Sequence, residues 1–255
     1  MEFRQHRFYV PGDEPRRLDW RVLARTDRPY VREYDEETNL RCVLLLDRSG
    51  SMAYRGSGEV SKFEFAARLT AAFAYLMLGQ TESVGIAAVG VKLEHWLAPH
   101  AGHRQMARVL DVLDRCTPAG PSGIAEAMHA VADRLDRRAL VIVVSDFFAP
   151  AEKIRSGIAH LRHGKNEVIV VQVVDKDEEE FPFQKWTRFK GLEGEGAQMS
   201  EPAMARKGYR ERFNRHREEI AKACQALRAE FQAFDTERTT LETVRLFLTK
   251  RTAGS

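Results

Sequence analysis

Hydrophobic and polar positions along the chain follow two patterns, short apolar runs and longer stretches with a helical period. Apolar runs predict buried strands at "RCVLLLD" (41–47), "ALVIVVSDFF" (139–148) and "EVIVVQVVD" (167–175). Such runs are typical of parallel strands, because helices cover both faces of a parallel sheet. Further strands are predicted at "SVGIAAVG" and "KLEHWLA", joined as a hairpin across Gly90, and around "FQAFDT" near the end of the chain.

The helical period is clearest in "SKFEFAARLTAAFAYLMLGQ" (61–80), where Phe65, Leu69 and Phe73 fall on one stripe. Ser61 is suited to cap the start of this helix. Other helices are predicted at 104–115, 123–136, 151–164 with Gly164 as the cap, about 203–231, and 240–251. Strands that alternate with helices predict an α/β fold with a mostly parallel sheet and helices on both faces.

The two ends of the pattern suggest a domain organisation. Residues 1–40 are dense in Arg, Asp, Pro and Tyr, and we expect an N-terminal segment packed on a main domain of residues 41–255. Within residues 1–40, "RRLDWRVLART" predicts a short helix or turn and "YVREY" a strand. Acidic and then glycine-rich residues at about 175–200 predict an insertion. Its acidic run "DKDEEE" is expected to be a solvated loop, or else a docking patch for a basic partner.

Composition narrows the class of protein. The 255 residues are 44% hydrophobic and 30% charged, with a formal net charge of +3, so nothing attracts the whole chain to nucleic acid or a membrane surface. The longest apolar stretch, about 69–79, is shorter than the roughly 20 residues that span a bilayer. Three scattered cysteines form no disulfide or zinc pattern. We expect a cytoplasmic protein with no membrane segment in this chain and no nucleic-acid partner.

Candidate chemistry lies where the buried strands end. Asp47 and Asp146 each follow such a strand, and ligands of parallel sheets sit beyond the carboxyl ends of the strands. In "DRSGSM" (47–52), Asp47, Ser49 and Ser51 present a carboxylate and two hydroxyls at alternate positions. These hard oxygens suit Mg²⁺, Ca²⁺ or Mn²⁺ rather than zinc.

A magnesium ion takes about six oxygen ligands, so one loop does not suffice. Asp146 is the predicted fourth ligand. A fifth is expected from "CTPAGPSGIAEAM", where Thr117 and Ser122 compete and Ser122 is preferred because it directly precedes a helix. Two carboxylates leave the cation electrophilic, with a position open to an acidic side chain of a partner. Under the competing interpretation, the serines only cap turns. Separately, a lysine or arginine head group that fills the gap between the two aspartates would exclude the ion.

Together, "DRSGSM", "PSGIAEAM" and "VVSDFF" resemble the metal-ion-dependent adhesion site of von Willebrand factor A domains. Residues 6–52, with "VDKDEEEFPF", "RFKGLEGEG", "GYRERF" and "LFLTKR", resemble a bacterial family called domain of unknown function 58. The resemblance implies a von Willebrand factor A-like fold and metal ligands at Asp47, Ser49, Ser51, Ser122 and Asp146. The matching loop of such domains usually has threonine, where Ser122 keeps the hydroxyl. Family members usually have further residues upstream, so we expect that the chain is trimmed there.

The resemblance also implies a partner, since such proteins are associated with MoxR-type AAA ATPases. We therefore predict a non-enzymatic, metal-dependent protein-interaction module, an adaptor in chaperone-like assembly, with Mg²⁺ preferred over Ca²⁺ or Mn²⁺. One alternative is a metal-dependent hydrolase using the same site, although the sequence contains no P-loop, no G-x-S-x-G elbow and no clear base near the metal. The other is a scaffold whose metal site is vestigial. The client and the oligomeric state are left open.

Overall fold

A computed structural model describes residues 2–11, 13, 18–35, 40–80, 82–194 and 196–253. Two compact units are present, residues 1–39 and residues 40–255. In the first unit, β1 (Glu2–Phe8) pairs antiparallel with β2 (Tyr30–Asp35), and α1 is the helix Trp20–Thr26. The strand predicted at "YVREY" and the short helix are confirmed. β1 was not predicted, because Phe3 and Phe8 are its only apolar residues and it therefore shows neither of the two patterns used above.

The second unit contains a six-stranded sheet with the strand order β10-β7-β6-β3-β4-β5. Its strands are β3 (Arg41–Asp47), β4 (Ser83–Val89), β5 (Leu93–His100), β6 (Leu140–Ser145), β7 (Glu167–Val174) and β10 (Glu230–Asp235). Helices α2 (Lys62–Gly79), α3 (His103–Arg115), α4 (Ile124–Arg134), α5 (Ala151–His163), α7 (Pro202–Ala226) and α8 (Thr240–Ala253) accompany it. The β4–β5 pair is antiparallel and the other pairs are parallel, which confirms the mostly parallel α/β fold and the hairpin across Gly90.

Two hydrophobic clusters explain why the central strands are apolar throughout. Successive side chains of a strand point to opposite faces. Leu44 and Leu46 of β3 pack in the cluster that contains buried residues of α2, α3 and α8, where the rings of Phe73 and Phe247 lie 4.5 Å apart. Leu45 belongs to the opposite cluster, with residues of α4, α5 and α7. Helices therefore cover both faces. Within the described ranges, no helix combines the length and the apolar character needed to cross a membrane.

Helix α2 starts with the predicted cap at Ser61. The hydroxyl of Ser61 accepts a hydrogen bond from Glu64 N at 3.2 Å, and the Glu64 carboxylate accepts one from Ser61 N at 2.8 Å. This reciprocal pair satisfies two donors that the helix itself leaves unpaired. It also fixes the backbone next to Lys62, the first residue of the helix.

We expect Ser61→Ala to lower the free energy of unfolding by about 1 kcal/mol, because Glu64 N loses its acceptor at the helix start. Urea denaturation followed by circular dichroism measures this change. Ser61→Asp keeps an acceptor and should match the wild type within about 0.5 kcal/mol. A Ser61→Ala midpoint equal to that of the wild type would show that the cap contributes nothing.

Two helix ends differ in detail from the prediction. The long helix predicted to reach residue 231 stops at Ala226, because Arg228 adopts a left-handed conformation (φ 54°) and the chain then enters β10. Gly164 does occupy the C-cap of α5, yet its φ is −70°. The left-handed residue there is Lys165, with φ 58°.

The segment predicted to be an insertion contains a short helix α6 (Lys176–Glu180) and a hairpin of β8 (Thr187–Lys190) and β9 (Ala197–Ser200). The expectation that "DKDEEE" is a solvated loop is therefore wrong. Asp175 and Asp177 are only 1% and 8% exposed. Their carboxylates accept hydrogen bonds from the backbone N–H groups of Gly56 and Ser57, so these acidic side chains hold the loop that precedes α2.

Candidate metal centre at the carboxyl edge of the sheet

The two predicted carboxylate ligands end neighbouring parallel strands. Asp47 is the last residue of β3 and Asp146 directly follows β6, and these strands pair in parallel, so both residues lie at the same edge of the sheet. Both side chains are buried. Burial and, second, the nearby charge of Asp146 together raise the pKa of Asp47 from 3.8 to about 6. The sheet therefore brings the two acidic groups close enough to interact.

Three serines form a hydrogen-bonded set with Asp47. Ser49 N donates to Asp47 Oδ1 at 2.8 Å, and the hydroxyls of Ser49 and Ser51 lie 3.1 Å apart. Ser122 Oγ donates to Asp47 Oδ2 at 3.0 Å. Thr117, the competing candidate, instead accepts a hydrogen bond through its carbonyl oxygen from Arg48. Four of the five predicted ligands thus form one hydrogen-bonded set.

The turn after β3 bears on the interpretation that the serines only cap turns. Ser49 occupies the cap position of a 3₁₀ turn at Gly50–Ala53, but among the described residues its hydroxyl makes no capping hydrogen bond to that turn. Its contact is the hydroxyl of Ser51. The position of Ser49 is therefore explained better by the polar set around Asp47 than by local turn chemistry.

Ser145 belongs to the same set, although we did not predict it. Its hydroxyl donates to Asp47 Oδ2 at 2.6 Å and accepts a hydrogen bond from Phe147 N at 2.8 Å. Ser145 is the last residue of β6 and is fully buried. A serine that ends an otherwise apolar buried strand is the sequence signal that points to it, since buried hydroxyls need partners.

A buried lysine binds Asp146. Lys62 Nζ lies 2.8 Å from Asp146 Oδ2 and 2.6 Å from Glu178 Oε1, and the lysine side chain is 0% exposed. Burial alone would lower the pKa of Lys62, but the two carboxylates outweigh it and raise this pKa. A lysine in the first turn of a helix faces the positive end of the helix dipole, and this unfavourable placement is the signal in the sequence.

A cationic head group between the two aspartates would exclude an ion, and Lys62 is the residue to which this condition applies. The ammonium group is bound to Asp146 and Glu178, whereas the oxygens of Asp47 accept hydrogen bonds from Ser49, Ser122 and Ser145. The oxygen Asp146 Oδ1 accepts a weak hydrogen bond from Phe148 N at 3.2 Å. Lys62 therefore competes with an ion for Asp146, and coordination by Asp146 stays a prediction.

The chemistry of the donor set fits a small hard cation. Carboxylate and hydroxyl oxygens are the ligands that magnesium accepts. Lys62 binds Asp146 and Glu178, and Asp47 lies near Asp146. Three carboxylates and one ammonium group leave two formal negative charges to attract a divalent ion. Within the described ranges no group of three or more His, Cys, Asp or Glu side chains is arranged to hold a metal. An ion here would depend on the serine hydroxyls.

The chain is similar to a protein family and to individual proteins of known sequence or structure. A family model described as "Protein of unknown function DUF58" matches residues 5–219. An uncharacterized protein of Mycobacterium tuberculosis is 27% identical over 256 residues, which cover 98% of this chain and 80% of that protein. The conserved hypothetical protein BatB from Bacteroides thetaiotaomicron has a TM-score of 0.54 at 16% identity, covering 85% of this chain and 100% of that chain. The BatB match and the sheet order confirm the predicted von Willebrand factor A-like fold.

Proposed function

Because the chain belongs to the DUF58 family of proteins of unknown function and has a von Willebrand factor A-like fold, we propose that it is a non-enzymatic module for protein–protein interaction. In this proposal a divalent cation, with Mg²⁺ preferred, joins the carboxyl edge of the sheet to an acidic residue of a partner. A MoxR-type AAA ATPase is the proposed partner. The observation that supports the proposal is the convergence of Asp47, Ser49, Ser51 and Ser122 beside Asp146.

The residues of the site have separable roles. Asp47 and Asp146 supply negative charge, and Ser49, Ser51 and Ser122 supply neutral oxygens. Ser145 fixes the Asp47 carboxylate through its 2.6 Å hydrogen bond. Lys62 binds both Asp146 and Glu178, and it thereby holds the Asp146 carboxylate in place. A bound cation supplies positive charge that a partner carboxylate can bind, because two acidic ligands do not exhaust its electrophilic character.

The contacts of Lys62 support a second candidate, a scaffold that works without an ion. The ammonium group already neutralises one of the two aspartates, as a metal would. In a scaffold of this kind the polar set around Asp47 only holds the loops at the sheet edge. The two candidates differ in one measurable property, which is whether divalent ions change partner binding.

We expect a MoxR-type ATPase from a genome that encodes this chain to be retained by the immobilised wild type in Mg²⁺ and released by EDTA. Asp47→Asn should fail to retain it in either buffer, because the replacement keeps the size of the side chain and removes the charge that attracts the ion. Asp133→Asn is the matched control, since the Asp133 side chain is 69% exposed and lies on α4. Equal recovery in Mg²⁺ and EDTA would contradict the proposal and favour the scaffold.

A further inference from the structure

The tip of the insertion hairpin lies against the loops of the candidate metal centre. Residues 191–196 join β8 to β9, and Gly191 N donates to Gly196 O at 2.7 Å to close this loop. The carbonyl oxygen of Leu192 lies where a side chain at Gly50 would begin, 2.1 Å from an ideal Cβ. Such an approach is open to glycine and to no other residue. The turn after Asp47 and the hairpin tip are thus in backbone contact.

Glu193 reaches the second loop of the same centre. Its carboxylate oxygen Oε2 accepts a hydrogen bond from Ser122 N at 3.1 Å. The hydroxyl of Ser122, three bonds away from that nitrogen, donates to Asp47 Oδ2 at 3.0 Å. Ser122 therefore lies between two carboxylates that come from distant parts of the chain. The sequence pattern gives no sign of this, because the hairpin is far from both loops along the chain.

We infer that Glu193 is a further ligand of the divalent cation, so that the chain fills with its own carboxylate the position otherwise taken by an acidic residue of a partner. This inference rests on the proposed function. A ligand on the same chain acts at a high effective concentration. A partner must therefore displace the hairpin tip before its own acidic side chain reaches the ion. Its apparent affinity is then its intrinsic affinity multiplied by the fraction of molecules in which the tip is open.

Glu193→Gln tests the role of the charge without removing the contact, since the glutamine oxygen still accepts from Ser122 N. Calorimetric titration with Mg²⁺ should give an affinity about tenfold weaker than that of the wild type, because one anionic ligand is lost. Glu193→Asp keeps the charge on a shorter side chain and should give an intermediate affinity. Glu201→Gln, an exposed residue at the start of α7, is the matched control and should bind Mg²⁺ as the wild type does.

Hydrogen exchange provides a second readout. If Glu193 had only a structural role, replacing it would not alter the effect of Mg²⁺ on exchange in the hairpin. Adding Mg²⁺ should slow exchange in residues 187–200 of the wild type and leave it unchanged in Glu193→Gln. If the wild type binds Mg²⁺, Asp47→Asn does not, and Glu193→Gln matches the wild type in both measurements, the inference is overturned while the proposed function stands. A wild type that binds no Mg²⁺ overturns both.

Discussion

Lys62→Met is expected to lower the free energy of unfolding at neutral pH by about 3–5 kcal/mol, the typical cost of breaking a buried ion pair. Methionine fills most of the space of the lysine stem but lacks the ammonium group. Asp146 and Glu178 would then face each other as buried carboxylates without their cation. Guanidinium denaturation in metal-free buffer measures the effect.

A double variant isolates the electrostatic origin of this loss. Lys62→Met combined with Glu178→Gln removes one of the two uncompensated charges, so the second substitution should cost less in the methionine background than in the wild type. Under the proposed function, Mg²⁺ should also stabilise Lys62→Met more than the wild type, because Asp146 no longer binds lysine. A loss below about 1 kcal/mol would mean that the lysine contact is worth no more than a surface ion pair.

Asp47→Asn is expected to stabilise the protein in EDTA at neutral pH. The pKa of Asp47 is raised from 3.8 to about 6, chiefly by burial and then by the charge of Asp146. A raised pKa means that the folded state favours the protonated acid. That contribution is fully present below pH 3.8 and is lost as the pH rises through about 6. Ionised Asp47 then costs stability, by at most about 3 kcal/mol, and asparagine avoids this cost.

The sign of this effect sets the measurement. The difference in melting temperature between Asp47→Asn and the wild type should grow in favour of the variant between about pH 4 and 6, and stay constant above that range. Under the proposed function, Mg²⁺ should raise the melting temperature of the wild type and not that of the variant. Asp133→Asn should show neither trend. A variant that is less stable than the wild type by the same amount at every pH would show that lost hydrogen bonds dominate.

The strands and the carboxylates at the sheet edge were predictable because their signals are local. A run such as residues 41–47 is apolar since both faces are covered, and an aspartate at the end of such a strand has few purely structural reasons to be there. Once β3 and β6 are recognised as parallel, Asp47 and Asp146 must share an edge. Ser122 was the preferred hydroxyl because it directly precedes a predicted helix, which is also a local signal, and its hydroxyl donates to Asp47 in the structure.

The partners of these residues were not predictable because their contacts join distant parts of the chain. Lys62 and Glu178 are 116 positions apart. Taken alone, a lysine at the start of a helix and a glutamate in an acidic run are both expected to be solvated. The acidic run was misread for that reason: its charges bind backbone N–H groups of the loop before α2, a contact that no local pattern reveals. Glu193 is a similar case, since only the folded hairpin brings it to Ser122.

The buried contact between Lys62 and Glu178 constrains how this fold can diverge. Lys62 is the first residue of α2, which packs on the main sheet, whereas Glu178 belongs to α6 in the segment predicted to be an insertion. This segment therefore supplies a counter-charge to the core. We therefore expect a deletion of this segment alone to leave Lys62 with one carboxylate fewer and to destabilise the core. We expect relatives without α6 to carry an uncharged residue at the position of Lys62, and chimaeras that exchange the insertion to fold only when both positions are exchanged together.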